Sequence, residues 1–180
     1  MSHQGFLFNT NLCIGCLACV VACKNENSTH ATVNWRRVTK LNDEHYISLS
    51  CNHCDSPECF RVCPENAFTK RKVDGIVEIN SKLCSGCMIC VDICPIGAPQ
   101  SNPLTRKVTK CDFCIERQEQ GLLPACIEAC STGALKLFSY DKKLPEHTTS
   151  TIEGFENILL THPSIRFVSP DRKKTRYFLT

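Results

Sequence analysis

The sequence predicts a small α+β fold in which short strands and short helices frame long loops, and three observations predict it. Sixteen of the 180 residues are cysteine, and they fall into four groups of four. Brief alternating segments bounded by turn residues read as strands, and helix signals are confined to short pieces following the cysteine loops. The longest apolar run, Leu12 to Cys23, is twelve residues with Gly15 and four cysteines inside it, well short of the roughly 20 needed to cross a bilayer.

Taken in chain order, group one is Cys13, Cys16, Cys19 and Cys23, and after it Val33 to Leu41 and Tyr46 to Ser50 are strand candidates. Group two is Cys51, Cys54, Cys59 and Cys63. Ala67 to Lys70 and Ile76 to Ile79 then alternate around Val73-Asp74-Gly75, which reads as a hairpin. Group three, Cys84, Cys87, Cys90 and Cys94, has the same C-x2-C-x2-C-x3-C spacing as group one, an internal repeat. Group four is Cys111, Cys114, Cys126 and Cys130, and Leu123 to Cys130 reads as helix because Pro124 suits a first turn. From Ser139 onward cysteine stops and the composition turns polar. Lys142 to Thr180 is therefore expected as an appendage, whose apolar pieces Phe155 to Leu160 and Ile165 to Val168 dock on something.

Cysteine at this density means either a disulfide scaffold or metal binding, and the compartment decides between them. Met1 to Leu12 has no basic region, apolar stretch and cleavage site of a signal peptide, so folding is expected where thiols stay reduced. The formal charge of +3 counts every cysteine as a neutral thiol. Four thiolate-ligated clusters at about −2 each would bring it to about −5, which speaks against nucleic acid as a partner. No G-x-G-x-x-G loop, P-loop or nucleophile elbow occurs, and little chain is left over for a catalytic domain. The chain is expected not to be an enzyme by itself.

A 4Fe-4S cube needs a thiolate at each of four corners, and a tight loop wraps only three before the chain turns away. The segment from Cys51 to Pro99 resembles bacterial ferredoxins, in which the fourth cysteine of such a run ligates the other cluster of a pair. Under that crossed rule Cys51, Cys54 and Cys59 join Cys94, and Cys84, Cys87 and Cys90 join Cys63. Applied to the outer groups, it joins Cys13, Cys16 and Cys19 with Cys130, and Cys111, Cys114 and Cys126 with Cys23. The expectation is two interleaved ferredoxin-like domains and four 4Fe-4S clusters. Residues 1–50 and 105–140 form the outer domain, 51–104 the inserted inner one, and 141–180 a C-terminal extension.

A more specific resemblance is carried by Cys13-Ile-Gly-Cys16, by Cys51-Asn-His-Cys54 with its four-residue gap to Cys59, and by Cys94-Pro-Ile-Gly-Ala-Pro-Gln100. Lys110-Cys-Asp-Phe-Cys114 with eleven residues before Cys126 adds to it. From Phe6 to Phe138 the sequence resembles the iron–sulfur subunit of the dimethyl sulfoxide reductase family of molybdenum and tungsten enzymes. The resemblance implies an electron wire between a molybdopterin or tungstopterin catalytic subunit, beside the group-one cluster, and a quinone-linked membrane subunit, beside the group-two cluster. It implies a peripheral membrane complex, with the side of the membrane left open because such subunits can cross folded with a signal-bearing partner. A polyferredoxin-like carrier of a formate dehydrogenase or hydrogenase system is the alternative. Lys24 and Ser131 stand where ferredoxins have proline, and Cys87 is kept where some relatives lose a ligand and hold a 3Fe-4S cluster.

Zinc is the competing metal, because pairs such as Cys111-x2-Cys114 are also zinc knuckles. Zinc sites usually combine two separated pairs, whereas three groups here are dense runs and two end in Cys-Pro. His53 is expected to pack near a cluster and place an N–H by a cluster sulfur. Lys70-Arg71-Lys72 and Arg172-Lys173-Lys174 are expected to be solvated or to steer docking, and Lys24 and Lys110, beside ligands, to favour a reduced cluster.

Overall fold

A computed structural model describes residues 3–152 and 159–168. Strand β1 (Gln4–Asn9) leads into the first cysteine loop and helix α1 (Ala18–Asn27). Strands β2 (Arg37–Lys40) and β3 (Tyr46–Leu49) pair antiparallel, and helix α2 (Glu58–Arg61) lies within group two. Strands β4 (Phe68–Lys70) and β5 (Val77–Ile79) form the expected hairpin, and helix α3 (Ile89–Ile93) lies within group three. Then come β6 (Gln100–Ser101), β7 (Val108–Thr109), α4 (Ile115–Glu119), α5 (Ala125–Glu128), β8 (Leu135–Ser139), β9 (Thr148–Thr149) and β10 (Ile165–Val168). Pro124 sits at the cap of α5, one residue earlier than the helix signal suggests. The candidate strand from Val33 begins only at Arg37, because the preceding residues serve as a buried tether.

The main sheet has the order β8-β1-β10-β9, with β1 antiparallel to β8 and parallel to β10. Period-two alternation puts Phe6 and Phe8 of β1 on one face, opposite Ile165 and Phe167 of β10. All four are at most 1 % exposed and pack with Leu135, Phe113, Cys23 and Cys126 in the largest apolar cluster. The Ile165–Val168 segment is therefore a core strand, which corrects the expectation of an appendage. Its overall polar surroundings hid a strand whose partner is more than 150 residues away. The other docking piece, from Phe155, and the Arg172 run fall mostly or wholly outside the described residues.

The same segment clamps the group-two loop. The amides of Asp55 and Ser56 donate to the carbonyls of His162 (2.8 Å) and Thr161 (3.0 Å). Ser164 donates from its amide to the Asn52 carbonyl (2.9 Å) and from its hydroxyl to the His53 carbonyl (3.1 Å). A protein truncated after residue 158 loses these bonds and the burial of Ile165 and Phe167, about 1.5–3 kcal/mol for each side chain. It should elute as aggregate or retain less iron than the full-length protein, as size-exclusion chromatography with iron analysis would register.

Candidate metal centres

The first C-x2-C loop of each group folds the same way: the residue before its second cysteine has positive φ. The values are 70° at Gly15, 45° at His53, 78° at Gly86 and 66° at Phe113. Groups one and three repeat the backbone further, since Leu17 (62°) and Met88 (67°) are also left-handed and cap α1 and α3 two residues before Cys19 and Cys90. Glycine meets the requirement without strain. A Cβ on Gly86 would fall onto the Arg106 carbonyl oxygen. Gly86→Ala should cost about 1–3 kcal/mol and selectively reduce iron retention by group three, read as a lower thermal midpoint for loss of visible absorption.

His53 and Phe113 bear that conformation with side chains, and both are 1 % exposed. Their rings meet edge to face at 5.0 Å, so each loop's strained residue is packed against the other's. Nδ1 of His53 accepts the Val77 amide at 3.1 Å, which leaves the ring proton on Nε2. Burial, and then the charge of Lys110, hold its pKa well below the ordinary value, so the ring is neutral. Nε2 has no hydrogen-bond partner among the described residues. Through Nδ1 the ring fixes the loop against the Val77 amide.

Cys13, Cys16, Cys19 and Cys130 line one cavity with Phe8, Leu135 and other apolar groups. Cys51, Cys54, Cys59 and Cys94 line a second with Val77, Ile96 and Ala98. Cys23, Cys111, Cys114 and Cys126 are mutual electrostatic neighbours, as are Cys90 with Cys84, Cys87 and Cys63. Among the described residues no three His, Cys, Asp or Glu side chains are set to hold a single metal ion.

The sets follow one another. Cys19 of the first lies within electrostatic reach of Cys126 of the next, and Cys111 of that set within reach of Cys51. Cys59 and Cys63, of different sets, lie about one turn apart along α2 and its cap. The row thus begins with Cys13, Cys16, Cys19 and Cys130 and ends with Cys63, Cys84, Cys87 and Cys90. Cys16 and Cys87, one at each end, are exposed. Exposed apolar side chains surround both, Ile14, Leu17 and Val21 at one end and Leu83, Ile89 and Ile93 at the other. This puts the group-three loop, and not the group-two loop that the resemblance implied, at the outer end. Cys51 of group two is buried against its neighbours.

Donors converge on the remote sulfurs. The amides of Ala67, Ala98 and Leu135 donate to Sγ of Cys63, Cys94 and Cys130, each at 3.4 Å. Pro64 and Pro95 disfavour continued helix at the cysteine before them, so the backbone turns back and presents those amides. After Cys23 the residue is Lys24, and α1 runs on to Asn27, whose amides are committed to the helix. The Asn27 side chain takes over: its Nδ2 donates to the Cys23 carbonyl (2.8 Å) and lies 3.8 Å from the Cys23 sulfur. Sequence reasoning missed Asn27, although its i+4 position on a helix without proline was a usable signal.

Burial dominates the thiols: it is the largest influence raising Cys23 and Cys59 to about 12 and Cys54 and Cys90 to about 11. Such sulfurs become thiolates only against positive charge, which iron supplies. These features fit 4Fe-4S clusters: four cysteines per set, apolar walls and amides aimed at sulfur. Lys110 is 2 % exposed, donates to the carbonyls of Val77 and Cys111, and lowers the pKa of Cys59. Lys24 instead spends its ammonium on the carbonyls of His30, Ala31 and Val33 and on Asn34, tying down the loop after α1. In the basic run, Lys70 pairs with Asp55, and Arg71 pairs with Asp74 and Glu119.

Comparison with known proteins places these sites among iron–sulfur domains. The 4Fe-4S dicluster domain family matches residues 42–139 and the 4Fe-4S binding domain family matches residues 6–26. The sequence is 34% identical to the probable anaerobic dimethyl sulfoxide reductase component YnfG of Escherichia coli K12, covering 91% of this protein and 87% of that one. It is 35% identical to a component of the anaerobic dimethyl sulfoxide reductase of the same organism, over 81% and 78%. It is 42% identical to a component of the tetrathionate reductase of Salmonella typhimurium, over 73% and 56%.

Proposed function

The protein belongs to the iron–sulfur subunits of the dimethyl sulfoxide reductase family, and from that premise we propose that it relays electrons through four 4Fe-4S clusters. The proposed ligands are Cys13, Cys16, Cys19 and Cys130; Cys23, Cys111, Cys114 and Cys126; Cys51, Cys54, Cys59 and Cys94; and Cys63, Cys84, Cys87 and Cys90. Two interleaved ferredoxin-like domains carry them, residues 51–104 being inserted between 1–50 and 105–140. The wire joins a molybdopterin or tungstopterin catalytic subunit at the Cys16 end to a quinone-linked membrane subunit at the Cys87 end. The protein is peripheral to the membrane and performs no substrate chemistry of its own.

The observation that carries this reading is the row of four cysteine sets with an exposed cysteine and an apolar collar at each end. Each cluster supplies one-electron redox chemistry. The protein's part is to space the sulfurs, keep water from all but the ends, and aim amides at the sulfurs so that potentials are set by fixed dipoles. No helix among the described residues is long and apolar enough to cross a membrane, in keeping with attachment through a partner.

The test is anaerobic purification of the native complex through a tag on this protein, with iron, acid-labile sulfide and every co-purifying polypeptide measured. About sixteen irons and as many sulfides per polypeptide, with a large pterin-binding partner, are expected. Zinc in place of iron overturns the cluster assignment. A fully loaded protein that purifies alone overturns the wiring role and favours a free polyferredoxin.

A further inference from the structure

Arg36 is the largest fully buried side chain among those described, at 1 % exposure, and no carboxylate among the described residues pairs with it. Its neighbours hold it in place: the Asn34 amide donates to Gln100 Oε1 (2.8 Å), Trp35 Nε1 to Thr109 Oγ1 (3.1 Å) and Arg37 to the Gly97 carbonyl (2.7 Å). The guanidinium lies over the Phe6 ring at 4.5 Å and donates to the hydroxyls of Ser48 (3.0 Å) and Ser50 (2.8 Å). A lone buried cation is costly unless something offsets it. The groups that act on it electrostatically are Cys126, Cys111, Cys19 and Cys23, whose negative charge as cluster ligands would offset the cost of burying the guanidinium. They belong to two adjacent cysteine sets.

Ser48 links Arg36 to one of those sets. Arginine has only donors, so the Ser48 oxygen must accept from it. The hydroxyl proton is thereby free for Cys19 Sγ, 3.4 Å away. We propose that Arg36 is a potential-setting residue, the fixed internal counter-charge of the two outer clusters, those of Cys19 and Cys126 in the outer domain, acting through space on both and through the Ser48 hydroxyl on the Cys19 sulfur. Reduction adds one electron and no atom to a cluster, so a fixed cation beside it stabilises the reduced form and raises its potential. The proposal rests on the cluster reading given above.

The experiment is a redox titration followed by electron paramagnetic resonance on the anaerobically purified complex, with signals assigned through Cys16→Ser and Cys126→Ser. Arg36→Gln should make the two outer midpoints more negative, each by at least tenfold in the reduced-to-oxidised ratio, or about 59 mV for one electron. The Cys87 cluster should stay within about threefold. Arg36→Lys should retain most of the wild-type potential, and Ser48→Ala should lower the Cys19 cluster alone. Unmoved outer midpoints in a fully loaded Arg36→Gln protein, or an equal shift of all four, would overturn the proposal. If that variant fails to load iron, Ser48→Ala decides, and an unchanged Cys19 midpoint overturns it. Fewer than four clusters in the unmodified protein would instead refute the cluster reading, so the two failures are distinct.

Discussion

Iron removed by a chelator under anaerobic, reducing conditions takes the fold with it: the stripped protein loses its cooperative melt and elutes at an expanded volume. Helices α2 and α5 have four residues, α3 and α4 five, and α1 ten, all below the 12–15 or so at which isolated helices become even marginal. Cysteines contribute to all three apolar clusters, so the core has no part independent of the sulfurs. Without iron, burial keeps thiols such as Cys23 and Cys111 protonated. Arg36 and Lys110 are then left as buried cations without counter-charge. An uncompensated buried charge costs about 3–5 kcal/mol, and two are comparable with the whole stability of a domain, about 5–15 kcal/mol. Circular dichroism and size exclusion before and after chelation measure this directly. A stripped protein that kept a native-like elution volume and a cooperative transition would show that the strands hold the fold unaided.

Cysteine grouping is legible in a sequence because three ligands of a cube must come from one tight loop, which imposes local spacing. The β4–β5 hairpin is legible for the same reason, its turn and both strands lying within a dozen residues. The central sheet is not, since β1 pairs with β8 and β10 from the far part of the sequence and only tertiary packing selects those partners. His53 and Phe113 carried no mark of positive φ. Gly15 and Gly86, at the same place in their loops, did carry one, and aligning the four loops would have transferred it. Arg36 lies thirteen residues from the nearest cysteine in sequence, inside the Val33 to Leu41 strand candidate and with nothing there to set it apart. Its importance comes from burial between two cysteine sets, which composition and spacing cannot express.

Cys111→Ser should remove about a quarter of the iron and stop conduction from one end of the complex to the other. Cys111 is buried where the second cysteine set meets the third, within electrostatic reach of both Cys23 and Cys51, and its sulfur accepts the Phe113 amide at 3.4 Å. Serine can accept that hydrogen bond, but its alkoxide is a much poorer partner for iron than a thiolate, so loss of the centre is expected over local collapse. An electron would then have to pass directly between the sets of Cys19 and Cys51. Under the proposed wiring, a fall of at least about a thousandfold, equivalent to about 4 kcal/mol on the barrier, is expected in quinol-driven reduction of the catalytic subunit. Cys87→Ser makes the contrast, because Cys87 is exposed at the end of the row. It should alter one cluster spectrum and spare the other three. Stopped-flow reduction of the two variants, with iron counted in each, discriminates the arrangements. Full end-to-end rates in a Cys111→Ser protein that had lost its cluster would mean that electrons do not travel the row in the order in which the cysteine sets adjoin.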